Sequence, residues 1–362
     1  MQRHTSRLAA TLITSLVLGL LAFPAGVLAQ TNGPIAQTGG MTAVLPLFGS
    51  PGLTVAVTLD TVGNISNVTL TGTGGLTQTS ADPTIVKFAN TDGTTKVAVR
   101  AKGDKMSISA KSGSLADFIG TGTWSADVFG TGVESVAYTI ADDGTGKPTL
   151  AIGTPSVVAG VTAVVIAPTT DSEDGEASAS GGVTFSADGF VKRLRITIEV
   201  DEVGGPAHLK ITLTGKDRQT LSDSLATLVA FGNRTWSAYL CDGTTQVTVT
   251  YKVNADGTVS FVGASPSTPT ATVKTSDNGF RVRFDGTKVG VKVSLRPNED
   301  GTTYTLSVKG SSGKCGGHEK NDGDKHDGDS DDGDSHDGES HDGDSDDGDS
   351  HDSDSSNSGS DD

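Results

Sequence analysis

The sequence contains few of the residues from which most enzyme active sites are built. Its 362 residues include 2 cysteines, 7 histidines and 5% aromatic residues. Between the first 29 and the last 48 residues the only histidine is His208, beside a Gly-Gly-Pro turn where we expect it to be exposed. The sequence has no G-x-S-x-G elbow and no H-E-x-x-H motif. We therefore predict a non-enzymatic protein, with a hydrolase built from two carboxylates as an alternative, because any two acids could meet in space.

Apolar residues are missing from the C-terminal segment, residues 315–362. It contains no Ala, Val, Ile, Leu, Met, Phe, Tyr or Trp, so it cannot form a hydrophobic core. Its 17 Asp and 2 Glu, against 2 Lys, give a net charge of −17, which equals the formal charge of the whole chain. The other residues carry 25 acids and 25 bases. The sequence thus predicts a near-neutral globular body with a disordered acidic tail, and its charge disfavours nucleic acid as a partner.

Long hydrophobic runs are also missing, except near the N terminus. Basic residues precede an apolar stretch of 14 residues, 8–21, and small residues follow up to Ala29. This pattern is typical of a secretory signal peptide, and the stretch is shorter than the ~20 residues of a membrane-spanning helix. We therefore predict a signal peptide at 1–29, no membrane span, and a secreted, extracellular location, which includes the periplasm and the cell surface.

The two cysteines, Cys241 and Cys315, would meet oxidising conditions after export. Cys241 falls in a predicted strand, and Cys315 directly follows the last one. A bridge between them would close a loop of about 75 residues and stabilise the fold by about 4 kcal/mol in the chain-entropy model. We predict this disulfide, with two free thiols as the alternative.

The body contains an internal repeat with a spacing of 112 residues over much of its length. A Ser-Leu-Ala followed by Thr-Trp-Ser-Ala contains Trp124 in the first copy and Trp236 in the second, and a truncated third copy, 273–310, lacks this motif. We expect the third copy to complete a sheet begun by the second Trp-containing half. The predicted divisions are a signal peptide at 1–29, an N-terminal segment at 30–51, repeat 1 at 52–157, repeat 2 at 158–267, a closing half repeat at 268–314 and the tail at 315–362.

Apolar and polar residues alternate along many segments, including 53–59, 193–200 and 289–295, which predicts β-strands. Asp-Gly and Asn-Gly pairs between the segments favour tight hairpin turns. Only 114–119 and 222–229 are predicted to be short helices. The polar stretch 169–182 is expected to be an exposed loop. The predicted fold is all-β: antiparallel, internally repeated β-sandwich or barrel-like units in two and a half copies, with a disordered acidic C-terminal tail.

The two tryptophans could stack on sugars, as exposed aromatic residues do in carbohydrate-binding modules. In a strand, however, Trp124 shares its face with Ala126 and Val128, and Trp236 lies on a similarly apolar face. An apolar face is a core face, so we interpret both residues as core residues. A carbohydrate-binding module with a purely solubilising tail is kept as an alternative function.

From His326 onward the tail repeats a five-residue unit, His/Asp-Asp-Gly-Asp-Ser. Carboxylates suit Ca²⁺, and imidazoles add affinity for Zn²⁺ or Ni²⁺. An EF-hand is excluded, because Gly333 at position six would put Ser330 and Gly328 at two ligand positions. We expect no tightly bound cofactor, and weak binding with dissociation constants of ~0.1 to 1 mM. The candidate metal ligands are His326, Asp327, Asp329, Asp331, Asp332, Asp334, His336, Asp337, His341, Asp342, Asp344, Asp346, Asp347, Asp349 and His351.

These features together predict a secreted, non-enzymatic envelope, matrix or adhesion-type protein. Its tail would bind divalent cations with low affinity, and its body would contact cell-surface or extracellular polymers. The alternatives are the carbohydrate-binding module and the secreted hydrolase.

Overall fold

The computed structural model describes residues 27–29, 39–49, 52–72, 74–103, 105–173, 175–215 and 218–311. Contacts divide the chain into two units, 1–317 and 318–362, and every described residue belongs to the first. The predicted tail therefore lies outside the described residues.

The described part of the chain is 64% β-strand and 4% helix, which confirms the all-β prediction. The first twelve strands are β1 (Val27–Ala29), β2 (Gly40–Leu45), β3 (Leu53–Leu59), β4 (Ile65–Thr71), β5 (Thr77–Asp82), β6 (Ile85–Ala89), β7 (Lys96–Lys102), β8 (Lys105–Ser112), β9 (Gly120–Ala126), β10 (Glu134–Asp142), β11 (Pro148–Ile152) and β12 (Thr162–Glu173). The others are β13 (Glu176–Ala187), β14 (Phe190–Val200), β15 (Ala207–Gly215), β16 (Arg218–Ser224), β17 (Asn233–Tyr239), β18 (Gln246–Val253), β19 (Val259–Ser265), β20 (Ala271–Ser276), β21 (Gly279–Phe284), β22 (Gly290–Pro297) and β23 (Thr303–Ser311).

Two short helices interrupt the strands where the sequence predicts them. A 3-10 helix, Leu115–Phe118, precedes β9, and α1, Leu225–Ala230, precedes β17. The Ser224 hydroxyl accepts a hydrogen bond from the Thr227 N–H and so caps α1. The predicted range 222–229 begins too early, because residues 222–224 still pair with β23.

The first sandwich has a six-stranded sheet in the order β11-β10-β9-β2-β3-β4 and an eight-stranded sheet in the order β12-β13-β14-β15-β8-β7-β6-β5. Their apolar faces share one core. Trp124 of β9 stacks on Phe185 of β13 with ring centroids 5.7 Å apart, and so links the two sheets. Both layers are needed because each sheet has one apolar face that must be covered.

The second sandwich is smaller. Its sheets have the orders β1-β17-β18-β19 and β16-β23-β22-β21-β20, and they enclose a separate core. Phe280 of β21 contacts Tyr251 and Phe261 of the facing sheet, with ring centroids at 6.5 and 5.8 Å. The same type of two-layer burial therefore stabilises both sandwiches.

The sandwiches do not coincide with the sequence repeats. Strands β5–β8 of repeat 1 and β12–β15 of repeat 2 form one sheet, because β8 pairs antiparallel with β15. Strand β16 pairs instead with β23 of the closing half. The expectation that this half completes the sheet of the second Trp-containing half is wrong: strands β20–β23 cover the apolar face of β17–β19 across the core rather than extending that sheet.

Residues 169–182 were predicted to be a loop, and this prediction is wrong. They form the outer part of the β-hairpin made by β12 and β13. Ala177 and Ala179 of β13 are buried opposite Val200 and Ile198 of β14. These small apolar residues, hidden among serines and acids in the sequence, let the sheet continue through the polar stretch.

Strand β1 makes the exception to antiparallel pairing among the described strands. Residues Val27–Ala29 pair parallel with β17, with Leu28 opposite Trp236. These are the last three residues of the predicted signal peptide. No helix in the described ranges is long and apolar enough to cross a membrane.

Cleavage after Ala29 would remove β1 and open this edge of β17. We expect the exported protein to begin at Gln30, because the small residues before it fit a signal peptidase site. Intact-mass analysis of protein recovered after export checks this. A mass that includes residues 1–29 would contradict the predicted signal peptide.

Candidate functional site

The predicted metal ligands of the tail, from His326 to His351, lie outside the described residues, so this site stays a prediction. Within the described ranges, no group of three or more His, Cys, Asp or Glu side chains could hold a metal ion.

The exposed carboxylates with shifted pKa values lie in five separate hairpin turns, each with the sequence Asp-Gly-Thr. In the turn between β22 and β23, the Asp300 carboxylate accepts hydrogen bonds from the Thr303 hydroxyl at 2.6 Å and from the N–H groups of Thr302 and Thr303. These bonds lower the pKa of Asp300 to about 2. Hydrogen bonds from threonines likewise lower the pKa of the other four, Asp92, Asp143, Asp242 and Asp256.

A glycine follows each of these aspartates, with φ between 64° and 90°. Such positive φ angles favour glycine, and on this basis four of the five turns, all except that of Asp143, were predicted. In the turn between β10 and β11, Asp142 also accepts hydrogen bonds, from the N–H groups of Gly144 and Gly146. Every one of these carboxylates is thus already hydrogen-bonded within its own turn. These aspartates therefore stabilise the hairpins.

Cys241 lies in the turn after β17, not in a strand as predicted. The strand ends at Tyr239, and the N–H of Leu240 donates to the Thr245 carbonyl to close the turn. Cys241 is exposed and disulfide-bonded. Its predicted partner, Cys315, lies outside the described residues, so the pairing itself stays a prediction.

The most strongly perturbed cation is the buried Lys192 of β14. Its ammonium donates to the Val128 carbonyl and lies 5.4 Å from the centroid of the Phe129 ring. Burial lowers the pKa of Lys192 to about 7, and the carboxylates of Asp127 and Glu134 oppose part of this shift. The cluster joins the 127–133 loop to the eight-stranded sheet.

Glu134 of β10 completes this cluster. One carboxylate oxygen accepts from the Val128 N–H at 2.8 Å, while the other has no partner in the described part of the chain. Perturbed groups often mark active sites. Here Glu134 is 0% exposed and Lys192 is 1% exposed, so a substrate cannot reach either. The contacts assign the cluster to loop anchoring.

Sequence reasoning missed this cluster, although a signal was present. Lys192 has the same strand parity as the buried Phe190 and Leu194, and Glu134 has the parity of the buried Val136. A charge on the inward face of an alternating strand predicts a buried ion.

Both tryptophans are buried, which confirms their interpretation as core residues. Their indole faces cannot stack on a sugar in this fold. His208 is half-buried rather than exposed: its Nδ1 is 3.9 Å from the Glu199 carboxylate, and burial lowers its pKa.

The two Trp-containing halves differ in their polar contacts. In the first sandwich, β2 supplies both acceptors: Trp124 Nε1 donates to Met41 Sδ at 3.4 Å, and the Tyr138 hydroxyl donates to the Val44 carbonyl at 3.0 Å. The corresponding atoms, Trp236 Nε1 and the Tyr251 hydroxyl, are buried without a partner among the described residues. Burial raises the pKa of Tyr251 to about 12. Strand β1 lies beside β17 as β2 lies beside β9, but it supplies neither of these two acceptors.

Comparison with known proteins identifies no relative: the family models, the curated proteins and the solved structures contain no match to this chain.

The low pKa of Lys192 predicts how stability depends on pH. Between pH 7 and 9.5 the unfolded chain keeps this lysine protonated while the folded protein does not, so the unfolded state binds more protons. The free energy of unfolding should then rise with pH, with a slope that approaches about 1.4 kcal/mol per pH unit. Urea unfolding at several pH values measures this slope. Lys192→Met should lose it, whatever its overall stability, whereas the exposed control Lys210→Met should keep it. Equal slopes in all three proteins would contradict the assignment.

The predicted disulfide has a direct test. Alkylation of the native protein should add no mass, and alkylation after reduction should modify both cysteines. Cys241→Ser together with Cys315→Ser should lower the free energy of unfolding by about 4 kcal/mol, because the unfolded chain gains freedom. Two thiols that react without reductant would exclude the bridge.

Proposed function

We propose that this protein is a secreted, non-enzymatic matrix or adhesion-type protein whose acidic tail binds divalent cations with low affinity. The observation that carries the proposal is the separation of charge along the chain. Residues 315–362 hold a net charge of −17, whereas acids and bases balance in the rest. This charge distribution suits a near-neutral part that folds and an acidic part that attracts cations.

The folded part supports a role in surface contact rather than catalysis. Its strongly perturbed lysine is sealed in the core, and its low-pKa carboxylates are dispersed over hairpin turns. Its tryptophans lie inside the two sandwiches. The solvent-exposed surface of the described sheets is broad and mostly polar, apart from Val164, Val165 and Ile166 of β12, and such a surface suits adhesion to an extended polymer.

The tail would act as a multivalent ligand. Its charges are spaced by ~9 Å in an extended chain, close to the Debye length at physiological salt, so neighbouring carboxylates repel each other weakly. Divalent ions would reduce this repulsion and compact the tail. Without an ordered cage of ligands, the affinity should stay at the ~0.1 to 1 mM end of calcium-binding modules.

Calorimetric titration with CaCl₂ and ZnCl₂ tests the tail's role. The full chain should release or absorb heat with both salts, and a chain ending at Gly317 should respond to neither. This end point keeps both cysteines and the whole first unit. A full-length variant with the substitutions His326→Asn, His336→Asn, His341→Asn and His351→Asn should lose zinc affinity but keep calcium affinity. Imidazole nitrogen is a good ligand for Zn²⁺, whereas Ca²⁺ is bound by carboxylate oxygens. Equal heats from the full and shortened chains would refute the proposed role.

A further inference from the structure

A row of five cationic side chains crosses the outer face of the five-stranded sheet, one on each strand. Arg218 of β16 lies opposite Lys309 of β23, which lies opposite Lys292 of β22. Lys292 in turn lies opposite Arg281 of β21, and Arg281 opposite Lys274 of β20. All five are exposed. With strands about 4.8 Å apart, this basic row extends over roughly 19 Å.

Arg283 and Arg296 add two more cations to the same face. None of the seven forms an ion pair within the described ranges, where the ion pairs involve other residues. A groove of about 800 Å³ is lined by Arg218, Lys292, Lys309 and Arg296, with Glu299 and Asp300 at its turn end. Asp300 is already held by its own turn.

Like charges directly opposite each other on neighbouring strands destabilise a sheet. The basic row contains four such pairs in succession. The eight-stranded sheet of the same protein has two isolated lysine pairs between β7 and β8, Lys96 opposite Lys111 and Lys102 opposite Lys105, but neither pair continues as a cationic run onto the next strands. The basic row therefore opposes stability, and a ligand that neutralises it would explain its presence.

We propose that the basic row binds a linear anionic polysaccharide of the polyuronate type. Such a polymer carries one carboxylate per sugar ring, so its charges repeat at about the length of one ring, comparable to the strand spacing. Arginine guanidinium groups bind carboxylates in a bidentate manner, and lysines add point charges. This assignment rests on the proposed surface-adhesion function and names the polymer class for it.

Two features of the face favour a polysaccharide over a single-stranded nucleic acid. The hydroxyls of Thr220, Ser307 and Ser294 form a second row beside the cations and can bond to sugar hydroxyls. The outward positions of all five strands carry no aromatic side chain on which bases could stack.

The test uses the full-length protein and measures its binding to polygalacturonate at low salt, with neutral dextran and poly(dT) as comparison polymers. The wild-type protein should bind polygalacturonate and not dextran, and added salt should weaken the binding. Replacing Lys292 and Lys309 together by glutamine should raise the dissociation constant roughly tenfold or more. The matched control replaces Lys87 and Lys210 by glutamine; these exposed lysines lie opposite uncharged residues on the eight-stranded sheet. It should change the dissociation constant less than about twofold.

A stability measurement separates binding from a structural role. Because the row variant loses like-charge contacts, its thermal midpoint should equal or exceed that of wild type. A lower midpoint, the same loss of binding in both double variants, or no binding of polygalacturonate by wild type would overturn the proposal. Tighter binding of poly(dT), abolished in the row variant, would also overturn it. Calcium binding by the row variant should be unchanged, so failure here is distinguishable from failure of the tail's proposed role.

Discussion

The antiparallel pairing of β8 with β15 determines how the rest of the molecule is arranged. It fuses strands of two sequence repeats into one eight-stranded sheet, so side chains from both repeats fill the first core. Since β15 is committed to that sheet, β16 pairs with β23, and the closing half then covers the second core. The sequence repeat is therefore not the folding unit. Each sandwich is completed by strands that follow its own Trp-containing half.

Features that depend on neighbouring residues could be predicted from the sequence. The alternation around Trp124 placed it in the core, and the Asp-Gly pairs marked the hairpin turns. The predictions were wrong where pairing with another strand decides whether a residue belongs to a strand or to a loop. Residues 169–182 look like a loop by composition, but Ala177 and Ala179 fit under β14. Cys241 falls beyond the last residue of β17 that pairs with β18.

The basic row could not be predicted from local sequence patterns, because its cations are brought together by long-range strand pairing. Each cation is an ordinary outward residue of an alternating strand, and none is unusual by itself. Arg218 and Lys309 meet because β16 pairs with β23 in one particular register, and a slip of one residue would move them to opposite faces. Such long-range registers follow from how the two cores are filled. The row, and with it the function proposed for it, can therefore be identified only once the sheet order is known.

The net charge of −17 suggests a protein that repels polyanions. The net charge, however, does not describe the local charge on the outer face of the five-stranded sheet. At physiological ionic strength the Debye length is about 8 Å, so charges act together mainly when they are that close. Neighbours in the basic row are about 4.8 Å apart and reinforce one another's field. The proposed cation binding by residues 315–362 and the proposed polyanion binding by the five-stranded sheet therefore depend on local charge density and not on the net charge of the chain.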